Sequence, residues 1–133
     1  MISYEEGVLA MEWLARAFGF QERIKMLDES GRLSHGEMST GINGVIMLAT
    51  PSGEYESPRH HREHCQQACA WQAVPWVIDG VLVYVDDADA HFVRAKLAGA
   101  TILSELESGY PGRRYRAEDC EGHRWMFIER AKA

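Results

Sequence analysis

Three groups of side chains in this sequence have types and spacings that could bind a ligand or support catalysis. The most concentrated is the run His60-His61-Arg62-Glu63-His64-Cys65, followed by Cys69. On a helix, His60 and His64 would share one face and His61, Cys65 and Cys69 another, a spacing that can bind zinc. The alternative is a solvated polar helix whose cysteines face the core, and we favour this interpretation.

The second group is the pair His35 and Glu37, which alternates with Met38 in a strand-like segment. If Met38 faces a helix layer, both polar residues face the opposite side of the sheet, where either could anchor a ligand or act as a general base. The alternative is an exposed edge strand that carries polar residues. The pattern leaves both interpretations open.

The third group consists of Arg113, Arg114 and Arg116, which flank Tyr115. A strand presents alternate residues on one face, so at least one arginine should point inward and could hold an anionic or carbonyl group. The alternative is surface charge that balances an acidic protein. No Ser-His-Asp arrangement, reactive-cysteine pattern or phosphate-binding glycine loop stands out.

Composition narrows the possible partners and the compartment. The 133 residues are 46% hydrophobic, which is enough for one domain with a real core. A formal charge of -6 disfavours nucleic acid and anionic membranes as partners. Three cysteines fit a reducing compartment, and no basic-apolar leader or run of about 18 apolar residues is present. We therefore expect a soluble, cytoplasmic protein.

The elements that must position these groups occur twice along the chain. Each copy contains a helix, predicted over residues 6–18 and 88–97 and ended by Gly19 and Gly99; Asp86 or Asp87 can cap the second helix. Strands are predicted at 2–4, 20–27, 33–40 and 45–50, and again at 80–85, 101–106, 113–118 and 124–129. The pattern predicts an α+β fold of two tandem βαβββ modules, whose half-sheets form a cup with the helices outside.

The chain is therefore expected to be a single domain over residues 1–133, with module 1 at about 1–50 and module 2 at about 78–130. The linker between them spans about 51–77, and Pro58 could open a short helix that runs to about Trp71. Trp76 follows Pro75 at the end of the linker, where it could line the rim of the cup or pack in the core.

Several segments resemble the vicinal oxygen chelate superfamily, which contains glyoxalase I, extradiol dioxygenases and fosfomycin- and bleomycin-resistance proteins. The resemblance covers almost the whole chain and rests on the order of its motifs. In module 2 these motifs are Val83-Tyr84-Val85-Asp86-Asp87, then Gly112-Arg113-Arg114-Tyr115, and then the turn Asp119-Cys120-Glu121-Gly122-His123 before the last strand. In module 1 the motif is His35-Gly36-Glu37-Met38. Cys120 stands where the family usually has proline.

The resemblance also implies where a metal ion would be bound. Metal-dependent members use His, Gln or Glu in the first and last strands of both modules. In this chain the last-strand positions fall on Met47 and Met126 and the second module's first-strand position on Gly80, while the corresponding place in module 1 lies at or before Met1. Because thioethers suit soft copper rather than the ions used in this chemistry, we expect no metal and no cofactor in the cup.

The favoured function is metal-free binding of a small molecule, with the drug-sequestering resistance proteins as the nearest counterpart. An apolar and amphipathic lining is predicted from Met47, Met126, Leu82 and Tyr84, with Trp76 at the rim; Trp125 and Phe127 would then face the core. Polar anchors are predicted from His35, Glu37, Arg113 and Arg114. The alternative is a metal-dependent lyase, isomerase or dioxygenase of the same superfamily, and a metal-free enzyme is a third possibility.

We also expect a homodimer. Members that resemble this chain commonly pair about a two-fold axis and often build the cup from both chains, and two-fold dimers are the commonest oligomers in general. The apolar strands Val45–Leu48 and Trp125–Ile128 would supply the driving force, at roughly 25 cal/mol per Å² removed from water.

Overall fold

The computed structural model describes residues 1–130 and shows two copies of a βαβββ unit joined by a helical linker, as the sequence predicts. Module 1 contains β1 (Ile2–Ser3), α1 (Gly7–Phe18), β2 (Gln21–Leu27), β3 (Leu33–Thr40) and β4 (Gly44–Ala49). The linker contains α2 (Pro58–His64) and α3 (Gln66–Trp71). Module 2 contains β5 (Gly80–Val85), α4 (Ala88–Leu97), β6 (Thr101–Glu107), β7 (Arg114–Glu118) and β8 (Arg124–Glu129).

The two modules build sheets of the same topology. The strand order is β1-β4-β3-β2 in the first sheet and β5-β8-β7-β6 in the second. In each sheet the first strand pairs parallel with the last, and the other neighbours pair antiparallel. The α+β fold of two tandem βαβββ modules is thereby confirmed.

Helix boundaries follow from local capping. Gly19 ends α1 in the left-handed conformation, at φ 73°, and its N–H donates to the Ala15 carbonyl. Asp87 caps α4, because its side chain accepts a hydrogen bond of 3.0 Å from the Ala90 N–H. Among the described residues, every helix is too short or too polar to cross a lipid bilayer.

The linker departs from the single helix predicted from Pro58 to Trp71. Ser57 caps α2 by accepting from the His60 N–H, and Pro58 occupies the first turn as predicted. At Cys65 the backbone becomes extended, at φ -118° and ψ 109°, so the helix ends and α3 begins in a new direction. The predicted face of His61, Cys65 and Cys69 is therefore wrong. Cys65 is only half-buried and Cys69 is exposed, so the cysteines do not both face the core.

One core is shared by both modules. Helices α1 and α4 pack against each other, and each covers one face of its own sheet. The Phe18 ring lies 4.7 Å from the Phe127 ring, and the Phe20 ring lies 5.3 Å from the Trp125 ring, measured between centroids. Because Trp125 and Phe127 are 1% and 0% exposed, their predicted place in the core is confirmed.

Candidate ligand-binding site

Each sheet has one face that points away from the helices, and we call these two surfaces the open faces. In β4, Ile46 and Leu48 are buried in the core, whereas the alternating residues Val45 and Met47 are 50% and 43% exposed. The strands Val45–Leu48 and Trp125–Ile128 were predicted to supply the apolar surface that drives dimerisation. Only part of that surface is exposed and available to a partner chain. The chain itself already buries Ile46, Leu48, Trp125, Phe127 and Ile128.

The two methionines predicted to line the cup lie on the open faces at equivalent positions of their modules. Met47 pairs in register with Glu37 of β3. Met126 pairs with Leu82 of β5 on one side and with Arg116 of β7 on the other. Each thioether is thus flanked by a charged residue from the neighbouring strand, acidic in module 1 and basic in module 2.

A cavity of about 300 Å³ lies over the open face of module 2. Its lining includes Leu82, Arg116 and Met126 from the sheet and Pro75 and Trp76 from the linker. The structure therefore brings three of the predicted ligand-binding residues together, namely Trp76, Leu82 and Met126. The lining combines an indole, an aliphatic side chain and a thioether with three charged residues, Asp79, Arg116 and Arg124. Such a lining suits a largely apolar ligand that carries a polar oxygen.

Tyr84 extends the open face of module 2 beyond this cavity. It lies two residues after Leu82 on β5, so both side chains point the same way, and they are 45% and 48% exposed. On β8 its register partner is Ile128. Tyr84 is placed on the predicted face but outside the lining of the cavity.

The three arginines separate between the two sides of the second sheet. Arg114 and Arg116 pair in register with Ile128 and Met126 and therefore belong to the open face. Arg114 forms an ion pair of 3.2 Å with Glu107, whereas residues 1–130 contain no acidic group within ion-pair distance of Arg116. Arg116 is thus the guanidinium that the cavity presents to a ligand.

Arg113 lies on the opposite side of the second sheet. It donates two hydrogen bonds, of 2.7 and 2.8 Å, to the carboxylate of Asp89 on α4. This contact holds the pKa of Asp89 below its usual range. Arg113 was predicted as a ligand anchor, but the structure separates it from the cavity and from both open faces.

His35 and Glu37 lie on the open face of module 1 and contact each other. His35 Nε2 is 2.9 Å from Glu37 Oε2, and Arg23 Nε is 3.9 Å from Glu37 Oε1. The two side chains are 28% and 21% exposed, so the pair is accessible to a ligand. Such a pair can accept or donate hydrogen bonds and fix the orientation of a bound molecule.

A buried ionic cluster, not anticipated from the sequence, attaches the linker to module 2. The carboxylate of Glu118 accepts hydrogen bonds from Arg62 on α2, at 2.5 and 3.1 Å, and from Arg124 Nε at 3.0 Å. Arg124 also donates to the backbone carbonyls of Gln72 and Val74, at 2.8 and 2.7 Å. We call Arg62, Glu118 and Arg124 the linker clamp. The clamp fixes the backbone that immediately precedes Pro75 and Trp76.

The sequence contained one signal for this clamp. Arg124 opens the otherwise apolar strand segment Trp125-Met126-Phe127-Ile128, and a charged residue in such a setting needs a buried partner. Its partner Glu118 is close in sequence, but Arg62 lies 56 residues from Glu118. Only the three-dimensional structure identifies that contact.

Groups that could hold a metal ion occur in two places within residues 1–130, and neither is on an open face. One comprises Asp87, Asp89 and Glu129, whose carboxylates already accept hydrogen bonds from Ala90, Arg113 and Ala88. The other comprises Glu56, His61 and His64 in the linker. On the open faces, the resemblance predicts metal-ligand positions at Met47, Met126 and Gly80, and these residues offer two thioethers and no other side-chain ligand atom.

Two tandem βαβββ modules, each with an accessible sheet face, define an α+β protein of paired modules. Residues 9–127 match the sequence profile of the Glyoxalase/Bleomycin resistance protein/Dioxygenase superfamily, and the chain belongs to this family. The resemblance to the vicinal oxygen chelate superfamily is thereby confirmed.

Solved structures share this fold, and one of them, at 31% identity, also supports the family assignment. TioX from Micromonospora sp. ML1 is 31% identical, with 99% of this chain and 94% of that chain covered and a TM-score of 0.70. A glyoxylase/bleomycin resistance protein/dioxygenase domain from Frankia sp. EAN1pec is 11% identical, with coverages of 98% and 93% and a TM-score of 0.68. TnmS3, an antibiotic binding protein from Streptomyces sp. CB03234, is 16% identical, with coverages of 98% and 93% and a TM-score of 0.60. No curated protein sequence matches this chain.

Proposed function

We propose that this protein binds a small organic molecule on its open faces, without a metal ion, and so sequesters it. The observation that carries the proposal is the cavity of about 300 Å³ lined by Trp76, Leu82, Met126 and Arg116. Met thioethers adapt to irregular apolar surfaces, and an indole can stack on a planar ring. The ligand class that fits is a planar, largely apolar compound whose carbonyl or anionic oxygen faces Arg116.

Two observations support binding rather than metal-dependent catalysis. The positions at which the resemblance predicts metal ligands carry thioethers and a glycine, which are poor ligands for hard or borderline ions. The fold is also shared by TnmS3, which is described as an antibiotic binding protein, so this architecture is compatible with such a ligand. The low identity to TnmS3 means that the argument depends on the lining of this chain's own cavity.

Calorimetry tests the proposal. Untagged protein, treated with a chelator, would be titrated with a panel of aromatic natural products, including cationic ones. We expect at least one compound to bind saturably, and Met126→Asp to weaken that binding by roughly tenfold or more because it places a carboxylate in the apolar lining. Val93→Asp is the matched control, since Val93 is 53% exposed on α4, away from the cavity.

The outcomes separate the candidate functions. Failure of the whole panel would contradict small-molecule binding by this cavity. Binding that requires an added divalent ion, with the ion located at an open face, would favour a metal-dependent lyase, isomerase or dioxygenase instead. Equal losses of affinity in Met126→Asp and Val93→Asp would show that the ligand binds elsewhere.

We also propose that two chains form a two-fold dimer and that the complete cup combines module 1 of one chain with module 2 of its partner. Two observations support this arrangement. The lining of the cavity draws on module 2 and the linker but on no residue of module 1. The open face of module 1 leaves Met47 and Val45 half-exposed, and Met26 on β2 is 56% exposed, so apolar surface remains to be covered.

Light scattering tests the dimer. We expect a mass of about 30 kDa, twice the 15.1 kDa of one chain, at micromolar concentration. If the cup spans both chains, Met47→Asp should weaken ligand binding although Met47 is absent from the cavity seen in one chain. A mass of about 15 kDa would contradict the dimer, and normal ligand affinity in Met47→Asp would contradict a cup built from both chains.

A further inference from the structure

Three potential metal ligands meet in the linker, outside both open faces. Glu56 Oε2 lies 2.6 Å from His64 Nε2 and 3.9 Å from His61 Nδ1, and the three donor atoms all lie within 4.8 Å of one another. In a tetrahedral zinc site with metal–ligand distances of about 2.0–2.1 Å, the donors are about 3.3 Å apart. Small side-chain rotations would therefore bring these three donors to ligating distance of one ion.

The helix that carries the two histidines is held firmly against module 2. Arg59 donates to the backbone carbonyls of Cys120 and Asp119, at 2.9 and 3.1 Å, and Arg62 bonds the buried carboxylate of Glu118. These two arginines, three residues apart, occupy the protein-facing side of α2.

His61 and His64 are also three residues apart, and they lie on the solvent side of the same helix. Their side chains are 53% and 59% exposed. Because α2 is fixed from its other side, the spacing between the backbone positions that carry the two imidazoles is set before any ion arrives. Such preorganisation reduces the entropy lost when an ion binds.

We propose that Glu56, His61 and His64 form a binding site for a borderline divalent ion such as Zn²⁺. Two imidazoles and one carboxylate match the ligand preferences of zinc and differ from the all-oxygen ligand sets of magnesium and calcium. Water would complete the coordination. The ion would join Glu56, in the irregular segment before α2, to the helix itself and would restrict that segment of the linker.

The site is independent of the proposed small-molecule function, because it shares no residue with the open faces. Zinc titration of untagged, chelator-stripped protein tests it directly, with a chromophoric chelator as competitor. We expect one equivalent of Zn²⁺ to bind saturably. His61→Ala and His64→Ala should each weaken the affinity by at least about tenfold, since even the partners of metal ligands commonly contribute that much. Replacement of zinc by Co²⁺ should give visible absorption bands that both variants lose.

His60→Ala provides the matched control. His60 lies on the same helix, is similarly exposed and is a histidine, but its Nδ1 contacts Glu5 at 2.8 Å instead of the cluster. We expect this variant to bind zinc as the wild type does. The proposal is overturned if the wild type shows no saturable binding, if all three variants bind alike, or if His60→Ala loses as much affinity as His61→Ala.

Discussion

Removal of the carboxylate at the centre of the linker clamp should destabilise the protein strongly. The Glu118 side chain is 4% exposed and contacts Arg62 and Arg124, whose side chains are 11% and 2% exposed. In Glu118→Ala, two guanidinium groups would remain in a region with little water and without their shared counter-charge. Loss of one partner from a buried ionic group typically costs about 3–5 kcal/mol of the free energy of unfolding.

The contacts that remain place the expected cost at the lower end of that range. Arg124 would still donate to the carbonyls of Gln72 and Val74, and Arg62 could turn toward solvent. We therefore expect Glu118→Ala to lose about 3 kcal/mol. For a domain of this size that loss lowers the melting temperature by roughly 10 °C. Glu118→Gln preserves the shape and one acceptor oxygen, so its loss should be smaller.

Urea denaturation of the wild type and both Glu118 variants measures these losses. Asp89→Ala is the matched control, because Asp89 also accepts two hydrogen bonds from an arginine but does so at the exposed surface. Surface pairs of this kind contribute little to stability, so the control should unfold close to the wild type. Faster proteolytic cleavage between residues 72 and 78 should accompany Glu118→Ala alone. Equal unfolding midpoints for Glu118→Ala and Asp89→Ala would refute the reasoning.

Three further changes test other contacts. Burial lowers the pKa of His91 to about 4, whereas the pKa of an unfolded histidine is about 6.5. The free energy of unfolding should therefore be highest above pH 6.5 and decrease as the pH falls toward 4, because the unfolded chain then binds a proton that the folded chain does not. The denaturant midpoint of His91→Gln should decrease less than that of the wild type over the same interval. Gly41→Ala should lower the melting temperature, because a Cβ atom at φ 44° would lie 2.0 Å from the Tyr84 carbonyl oxygen. Tyr4→Phe should cost about 1–2 kcal/mol in urea denaturation, because the buried Asp119 loses a 2.6 Å hydrogen bond. An unchanged melting temperature in Gly41→Ala, an unchanged urea midpoint in Tyr4→Phe, or an equal fall with pH in the wild type and His91→Gln would contradict the corresponding prediction.

The architecture could be predicted from the sequence because its signals are local. Gly19 and Asp87 mark helix ends through conformational and hydrogen-bonding preferences that act within a few residues. For β8, strand alternation was combined with the position of Met126 in the cup that the resemblance implies, and together they predicted that Trp125 and Phe127 face the core, where both are buried. The break at Cys65 was missed, because the polar run before it has good helix formers on both sides and no glycine or proline.

The site was predicted less completely, because strand alternation does not show which residues of a strand face inward. For Arg113, Arg114 and Arg116, the register between β7 and β8 decides on which face of the sheet each side chain lies. That register depends on contacts between strands and cannot be predicted from the sequence of β7 alone. The linker clamp depends on contacts between residues more than 50 positions apart. Glu56 was likewise overlooked as a neighbour of His64, because the path of the irregular segment before α2, which brings the two side chains together, has no local sequence signal.

The central claim is that a small molecule binds on the open faces, and methionine-methyl NMR tests it most directly. The six methionines provide probes on both sides of the sheets. With the tightest compound from the calorimetric panel at saturation, in the presence of chelator, we predict that the methyl signals of Met47 and Met126 shift. Those of Met11 on α1 and Met38 on β3, which are 3% and 0% exposed in the core, should stay in place. Unmoved signals from both Met47 and Met126 at saturation would contradict the account.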